Sequence, residues 1–497
     1  MTSIWYIAPN FAGDVFCRLR GERGARRHSA LGVGAWEMRF PYGKAPLWIL
    51  VVAVVTGLVR LWLGVKRSEE SADLVFALFA PNHEQAYKGI LPEFEREHGV
   101  KIQMQLVHMR ALQSRLQAAM LTGAEVPDVV EIITGSMGYF TRGPLEDVGF
   151  VDLTQRLHDE NLYDAMVESR YSLWSSRGHI FALPHDVHPV ALCYRRDLVE
   201  ELGINVDAIQ TWADFVKVGR RITKDLDGDG APDRYAIDLL LGGGSTLALL
   251  VLQRGGGLFD AEGRVTFDSE IVADTIMWHV RQTRGETRIA FQAGWGQSLA
   301  KTMIDGLVLF YFCPDWRTKM FEMDVPGLKG KLALMPLPAW EPGSCRTSTW
   351  GGTGITITKA CENQDLAWEF AKFLYLRKEE LGRRFAASNI IPPLKEAWDL
   401  PEFTVASDFY SGRAIGQLYA GLAPSVPAAY ASPYSELADG KLSEAYMNAA
   451  DYYDRNGEEG LKEYTMKELE RCADYVRKVM DRNVFLKARD GGAIDGD

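Results

Sequence analysis

A short acidic loop is the densest group of chemically active side chains in the sequence. Residues 225–233, DLDGDGAPD, place carboxylates at alternate positions around a glycine turn. This spacing is that of positions 1, 3, 5 and 9 of an EF-type calcium loop, although Ala236 stands where position 12 requires glutamate. Without a cation, such converging carboxylates repel one another. We therefore predict a structural Ca²⁺ site, with a solvated acidic loop as the alternative, formed by Asp225, Asp227, Asp229 and Asp233.

The sequence lacks the common motifs of nucleophilic, metallohydrolase and nucleotide-dependent catalysis. It contains no G-x-S-x-G, no H-E-x-x-H, no P-loop and no G-x-G-x-x-G after a strand. The six cysteines show no C-x-x-C spacing and leave the disulfide state open. We predict a protein that is not an enzyme. An anchored carbohydrate-active enzyme stays an alternative, because the sequence alone cannot place the two facing carboxylates of a glycosidase.

Alternating strands and helices must position any site in the main body. Apolar patterning predicts strands over 73–80, 100–107 and 126–133, with helices over 82–98 and 110–121 between them. This order is typical of an open parallel α/β sheet, in which ligands bind beyond the carboxyl ends of the strands. The loops at those ends contain Asn82, Gly135 and Ser136, which we predict to contact a ligand.

An apolar segment precedes this body. Residues 47–65, LWILVVAVVTGLVRLWLGV, are long enough to cross a bilayer, and the basic excess upstream places the amino terminus in the cytoplasm. We predict an anchor or signal helix at 46–66, uncleaved because KRSEESADL offers a poor cleavage site. Residues 1–45 are then a basic cytoplasmic tail, or in part an extension upstream of a start at Met38.

Charge and aromatic content limit the possible partners. The net charge is −11 although the first segment is basic, so the exported body is acidic and nucleic acid is excluded as a partner. Aromatic residues make up 11% of the chain. Trp and Tyr suit a sugar, because the apolar face of a sugar ring stacks on an aromatic plane.

The order of several motifs in the body resembles the family 1 extracellular solute-binding proteins, which include maltose-binding protein. The matching segments span residues 73–480. They are VPDVVEI, GHIFALPHDVHPVALCYRRDLVEELGI, TWADF, RGGGLFD with EGRV, MIDGLVLFYFCPDW, and TWGGTGITITKACENQDLAWEFAKFL. One departure is Cys313-Pro314-Asp315, which replaces a simple glycine of the family pattern.

The resemblance implies a type II periplasmic-binding-protein fold, α/β and two-lobed, preceded here by the transmembrane or signal helix. The first lobe would comprise 73–186 plus 353–405, and the second 190–350 plus 406–485, followed by a disordered tail at 486–497. The chain would cross between the lobes near 185–190 and 350–355 and return near 400–410. A small solute, by expectation a sugar, would bind in the cleft and pass to ABC permease subunits outside the cytoplasm.

Carried over by position, the resemblance adds further ligand-binding residues. Carboxylates would accept hydrogen bonds from sugar hydroxyls, aromatic rings would stack on sugar faces, and a glycine would allow close approach of the backbone. The positions are Asp186, His188, Asp315, Trp316, Trp350, Gly351 and Tyr434. Each tryptophan has packing in the core as its alternative role. His188 departs from the acidic residue that is usual in sugar binders.

The sequence leaves open two further alternatives, one for the ligand and one for the role of the protein. The same fold resembles that of proteins binding polyamines, iron or phosphorylated glycerol. A membrane-anchored sensor or assembly subunit would also present a ligand-bound fold to a partner protein.

Overall fold

The computed structural model describes residues 45–62, 72–240 and 245–483, which fall in two units. In the first unit, helix α1 (Ala45–Trp62) exposes Trp48, Ile49 and Leu50. Among the described residues, no helix is both long and apolar enough to span a membrane. The anchor predicted at 46–66 stays a prediction, and residues 63–66 of it lie outside the described residues. The predicted tails at 1–45 and 486–497 lie almost entirely outside the described residues.

The second unit alternates strands and helices for most of its length. Its strands are β1 (Leu74–Leu78), β2 (Ile102–Leu106), β3 (Val129–Ile133), β4 (Ser175–Ser176), β5 (His179–Ile180), β6 (Leu183–Pro184), β7 (Val190–Arg195), β8 (Tyr235–Asp238), β9 (Ala290–Phe291), β10 (Val308–Pro314), β11 (Leu332–Pro336) and β12 (Thr353–Ile357). Its helices are α2 (Pro81–His98), α3 (Met109–Thr122), α4 (Met137–Phe140), α5 (Thr154–Asp159), α6 (Leu162–Ala165), α7 (Arg196–Glu201), α8 (Trp212–Ile222), α9 (Ser245–Gln253), α10 (Glu270–Thr283), α11 (Gln297–Asp305), α12 (Asp315–Asp324), α13 (Gln364–Leu376), α14 (Lys378–Ser388), α15 (Ile415–Leu422), α16 (Ser435–Asn456) and α17 (Leu461–Met480).

The first sheet has the strand order β2-β1-β3-β12-β6. Strands β1, β2 and β3 are parallel, as their alternation with helices predicted, whereas β12 joins antiparallel to β3. Helix α2 ends where predicted, because Gly99 adopts a left-handed conformation (φ 68°) and its N–H caps the Glu95 carbonyl. Phe76, Phe94 and Phe370 form part of the core against this sheet.

The second sheet has the order β11-β7-β10-β8-β9 and forms a second lobe. Its central strand β10 is apolar and buried throughout, with β7 antiparallel and β8 parallel to it. Helix α8 begins with a capping box, in which the Thr211 side chain accepts from the Asp214 N–H and the Asp214 side chain accepts from the Thr211 N–H. Trp212 is buried and packs in the core beside Phe215.

Two crossing segments, residues 185–189 and 349–352, run side by side between the sheets. Pro189 pairs with Thr349, and the Val190 N–H donates to the Ser348 carbonyl. A third segment contacts the first of them, since the Val187 N–H donates to the Ile391 carbonyl. Phe385 also packs with residues of the second sheet. The lobe boundaries given above stay predictions.

Candidate functional site

A buried arginine fastens the two crossing segments together. Arg170 is 1% exposed and lies in a short 3₁₀ helix, Glu168–Trp174. Its Nε donates to the Asp186 carbonyl (3.0 Å), Nη1 to Thr349 Oγ1 (2.9 Å) and Nη2 to the Gly351 carbonyl (3.1 Å). The guanidinium therefore fixes the spacing of 185–189 and 349–352. The sequence analysis did not select this residue.

The two aspartates predicted to bind sugar hydroxyls lie inside this hinge. Asp186 Oδ2 accepts from the Thr353 N–H at 3.0 Å. Asp315 Oδ1 accepts from the Trp316 N–H and Oδ2 from the Ile391 N–H, both at 2.7 Å. Asp186 is 1% exposed and Asp315 is fully buried, so neither presents an oxygen to solvent. Because a buried carboxylate needs internal donors, we interpret both as hinge residues in this arrangement.

His188 connects the two aspartates. Its Nε2 lies 3.1 Å from Asp186 Oδ2 and its Nδ1 lies 2.7 Å from Asp315 Oδ1. Burial disfavours a charged imidazole, but the two aspartates outweigh it and raise the pKa of His188 to about 9. Burial likewise opposes a charge on Asp186, yet His188 and His185 hold its pKa well below the usual range. With both ring nitrogens engaged, His188 has none left for a ligand.

Three tryptophans cluster where the second crossing segment meets α12. The rings of Trp316 and Trp350 meet edge to face at 6.1 Å, and Trp316 Nε1 donates to the Trp350 carbonyl at 2.9 Å. Trp295 lies nearly parallel to Trp316 at 6.5 Å and edge-on to Trp350 at 5.6 Å. Trp295 is 47% exposed, so a large part of its surface is available to a ligand. We call these three residues the tryptophan platform.

A buried cation supports the tryptophan platform. The Arg317 guanidinium carbon lies 4.7 Å from the Trp295 ring centre and 5.3 Å from that of Trp350. Its Nη1 donates to the Phe312 carbonyl at 2.8 Å. Burial raises the pKa of nearby Asp238 to about 6, against the opposing effect of the Ala293 N–H that donates to it. The platform therefore rests on groups held by the second sheet.

The loop after β3 reaches the same region from the first lobe. The Thr134 N–H donates to the Gly352 carbonyl at 2.9 Å. Gly135 adopts a positive φ of 87°, and Ser136 is buried just before α4. A Cβ on Gly351 would lie 3.3 Å from the His188 ring and 3.6 Å from Trp316 Nε1. The backbone at Gly351 therefore lies close to these two side chains, whereas its predicted close approach to a ligand stays a prediction.

Two predicted ligand residues, Asn82 and Tyr434, lie outside the tryptophan platform. Asn82 is exposed in the first turn of α2, next to His83, whose ring lies 4.4 Å from that of His185. Tyr434 precedes α16 and packs partly against the core of the second lobe. Within the described ranges, neither makes a hydrogen bond or ring contact with the tryptophan platform. Ligand contact by Asn82, Gly135, Ser136, Gly351 and Tyr434 stays a prediction.

A cavity of about 900 Å³ has a lining made of other residues. Residues from 167–178, 260–263 and 428–433 line it, together with Tyr163 and Lys395. None of the residues predicted to bind a ligand lines this cavity. Position relative to the crossing segments, rather than volume, therefore guides our choice of site.

The acidic loop brings three of its four carboxylates together. Carboxylate oxygens of Asp225, Asp227 and Asp229 lie within 4.8 Å of one another and are exposed. Asp233 instead accepts from the N–H groups of Leu226 and Asp227. Hydrogen bonds from the Gly230 and Gly228 N–H groups hold the pKa of Asp225 below its usual value. Calcium binding here stays a prediction.

Comparisons with known proteins agree with this architecture. The profile of the bacterial extracellular solute-binding protein family matches residues 80–380. An arabinooligosaccharide-binding protein of Halalkalibacterium halodurans is 26% identical over 356 residues, covering 69% of this chain and 76% of the relative. Its namesake in Bacillus subtilis is 25% identical over 367 residues, covering 72% and 82%. The sugar-binding protein MalE of Xanthomonas citri superposes with a TM-score of 0.66 at 18% identity, covering 82% of this chain and 98% of that protein.

Proposed function

This chain belongs to the family of bacterial extracellular solute-binding proteins, and we propose that it captures an oligosaccharide between its two lobes for delivery to an ABC importer. The observation that carries the ligand class is the tryptophan platform. A half-exposed Trp295, held by two further tryptophans and a buried arginine beside the crossing segments, offers the aromatic face that a sugar ring requires. The arabinooligosaccharide-binding relatives support the same class of ligand.

The charges around the platform favour a neutral sugar. Asp186 and Asp315 are balanced by Arg170 and by the His188 imidazolium, and none of these groups is exposed. A polyamine or metal ion would need exposed carboxylates at the site, and a phosphorylated ligand would need exposed cations or a helix amino terminus. Stacking, with hydrogen bonds from polar groups at the rim, therefore carries recognition in this proposal.

A thermal-shift and calorimetric screen of the full-length protein tests the proposed ligand class. The ligands are arabinooligosaccharides of two to six units, maltose and lactose, with spermidine and glycerol 3-phosphate as charged controls. A ligand at a hundredfold excess over its Kd stabilises the native state by about 2.7 kcal/mol. Stabilisation by a charged control alone, or by none of the sugars, contradicts the proposal. Chromatography of the recovered sugar, which we expect to be unchanged, tests the further proposal that the chain has no hydrolytic activity.

The membrane tether is a separate proposal that rests on the sequence of residues 46–66. Its apolar composition and basic upstream flank support a lasting anchor for the exported body. Alkaline carbonate extraction of membranes from expressing cells tests it. An integral anchor keeps the protein in the pellet, and release of the intact full-length chain contradicts the tether.

A further inference from the structure

The ring of His188 occupies an unusual position in the hinge. The residue is 6% exposed and adopts a left-handed backbone conformation, with φ of 52°. Few residues other than glycine do so, although histidine is among the more tolerant ones. The conformation places the ring between two carboxylates, that of Asp186 in the same crossing segment, beside β12, and that of Asp315 at the start of α12.

The geometry itself determines the protonation state of the ring. A neutral imidazole has one N–H donor and one acceptor nitrogen, whereas the imidazolium has two donors. Both nitrogens of His188 face carboxylate oxygens, at 3.1 Å to Asp186 and 2.7 Å to Asp315. A carboxylate is satisfied by a donor and repelled by a lone pair, so this arrangement requires the doubly protonated, charged ring.

The surrounding charges fit that state. Arg170 Nη2 lies 3.5 Å from Asp186 Oδ1, so two cations and two carboxylates balance inside the hinge. The remaining titratable neighbour is His185, whose Nδ1 lies 3.1 Å from Asp186 Oδ2. Burial, followed by Arg384 and His83, lowers the pKa of His185 to about 3, so its ring is neutral and adds no third cation.

His188 is also coupled to the tryptophan platform. Asp315, its partner in the second lobe, accepts a hydrogen bond from the next residue's N–H, that of Trp316. The His188 ring also borders Gly351, whose Cα carries no side chain that would separate it from Trp316. A movement of the imidazolium would therefore displace the start of α12, and Trp316 with it.

We propose that His188 is a positioning residue of the ligand site, whose imidazolium joins the first crossing segment to α12 and holds Trp316 in the tryptophan platform. The role in ligand binding rests on the proposed function, whereas the charged bridge does not. Deprotonation removes the positive charge and leaves a ring nitrogen whose lone pair faces a carboxylate. The bridge is thus present at neutral pH and is lost as the pH rises through about 9.

Histidine-selective ¹⁵N NMR of the full-length protein without ligand tests the bridge. The His188→Asn variant identifies the His188 signals by their loss, and asparagine tolerates the left-handed backbone conformation. His188→Gln replaces it if His188→Asn does not fold. We expect two protonated ring nitrogens at pH 7 and a transition near pH 9. A neutral ring at pH 7 overturns the proposal. His279→Asn is the matched control, because that ring is also buried but faces Thr246 and Tyr446 in the second lobe.

Tryptophan fluorescence and sugar affinity then test the coupling to the platform. Between pH 7 and 10 we expect a fluorescence transition near pH 9 in the wild type, beyond the change that tyrosine ionisation causes in every variant; it should be absent from both His188→Asn and Trp316→Phe but present in His279→Asn. We expect sugar Kd to rise at least tenfold over that range in the wild type and to stay flat in His188→Asn. A fluorescence transition that survives in His188→Asn overturns the coupling. Failure to bind any sugar, with the NMR and fluorescence results as expected, removes only the proposed function.

Discussion

Truncation of Trp295 to alanine should weaken oligosaccharide binding. The side chain is 47% exposed, and a fully buried tryptophan covers about 150–250 Å², so a sugar ring can cover on the order of 100 Å². At about 25 cal/mol per Å² of apolar surface, the lost contact is worth roughly 2.5 kcal/mol. This corresponds to an increase in Kd of about 60-fold.

The measurement is isothermal titration calorimetry with the best sugar from the screen, on wild type, Trp295→Ala and Trp295→Phe. Phenylalanine keeps a smaller aromatic face, so its Kd should fall between the other two. Tyr475→Ala is the matched control, because Tyr475 is 49% exposed on α17 beside Lys441 and should not contact the sugar. In the unliganded protein, loss of the cation–π contact with Arg317 should cost about 1 kcal/mol, in addition to the lost packing against Trp316 and Trp350. A Kd within twofold of wild type for Trp295→Ala, in a protein that binds sugar, would refute stacking on this residue.

Three other changes have expected outcomes. Arg170→Met should lower the free energy of unfolding by about 3–5 kcal/mol, because it leaves a buried carboxylate without its cation; urea denaturation measures this, and a loss below 1 kcal/mol contradicts the hinge role. Gly352→Ala should lower the free energy of unfolding by about 1–3 kcal/mol through overpacking, since its Cβ would lie 2.4 Å from Thr134 Cγ2. Gly135→Ala is the control for backbone strain alone, because its Cβ would meet no atom within 4 Å. Calcium should raise the unfolding temperature of the wild type but not of Asp225→Asn, and an identical response to calcium and EGTA would remove the predicted metal site.

Local patterns in the sequence were sufficient to predict much of the first lobe. Strands β1, β2 and β3 and helices α2 and α3 all occur where apolar periodicity placed them, within a few residues at each end. Signals within a few residues of each other, such as Gly99 and the Thr211–Asp214 capping box, specify where these helices begin or end. The antiparallel insertion of β12 beside β3 could not be predicted in this way, because its partners are more than 200 residues apart.

The hinge shows why chemical type alone is a poor guide to a site residue. The motifs drew attention to Asp186, His188 and Asp315, but His188 and Asp315 are 127 residues apart and nothing local indicates their contact. Arg170 was overlooked for the same reason, since its partners lie at 186, 349 and 351. Its neighbours in the sequence, Ser169 and Tyr171, show no periodicity that separates a buried arginine from an exposed one.

The internal use of these carboxylates changes how selectivity would arise. A buried carboxylate that already accepts from the backbone and from an imidazolium gains little from a sugar hydroxyl, and moving it toward the ligand would break the His188 bridge. The hinge charges therefore fix the geometry, and the discrimination between ligands falls on the tryptophan platform and on polar groups at its rim. Aromatic faces distinguish sugars by the pattern of apolar C–H groups on the ring, and they distinguish chain length by how many rings they can cover. With one half-exposed face at Trp295, we expect affinity to depend on a single stacked sugar unit and to rise little once the remaining units extend beyond the platform.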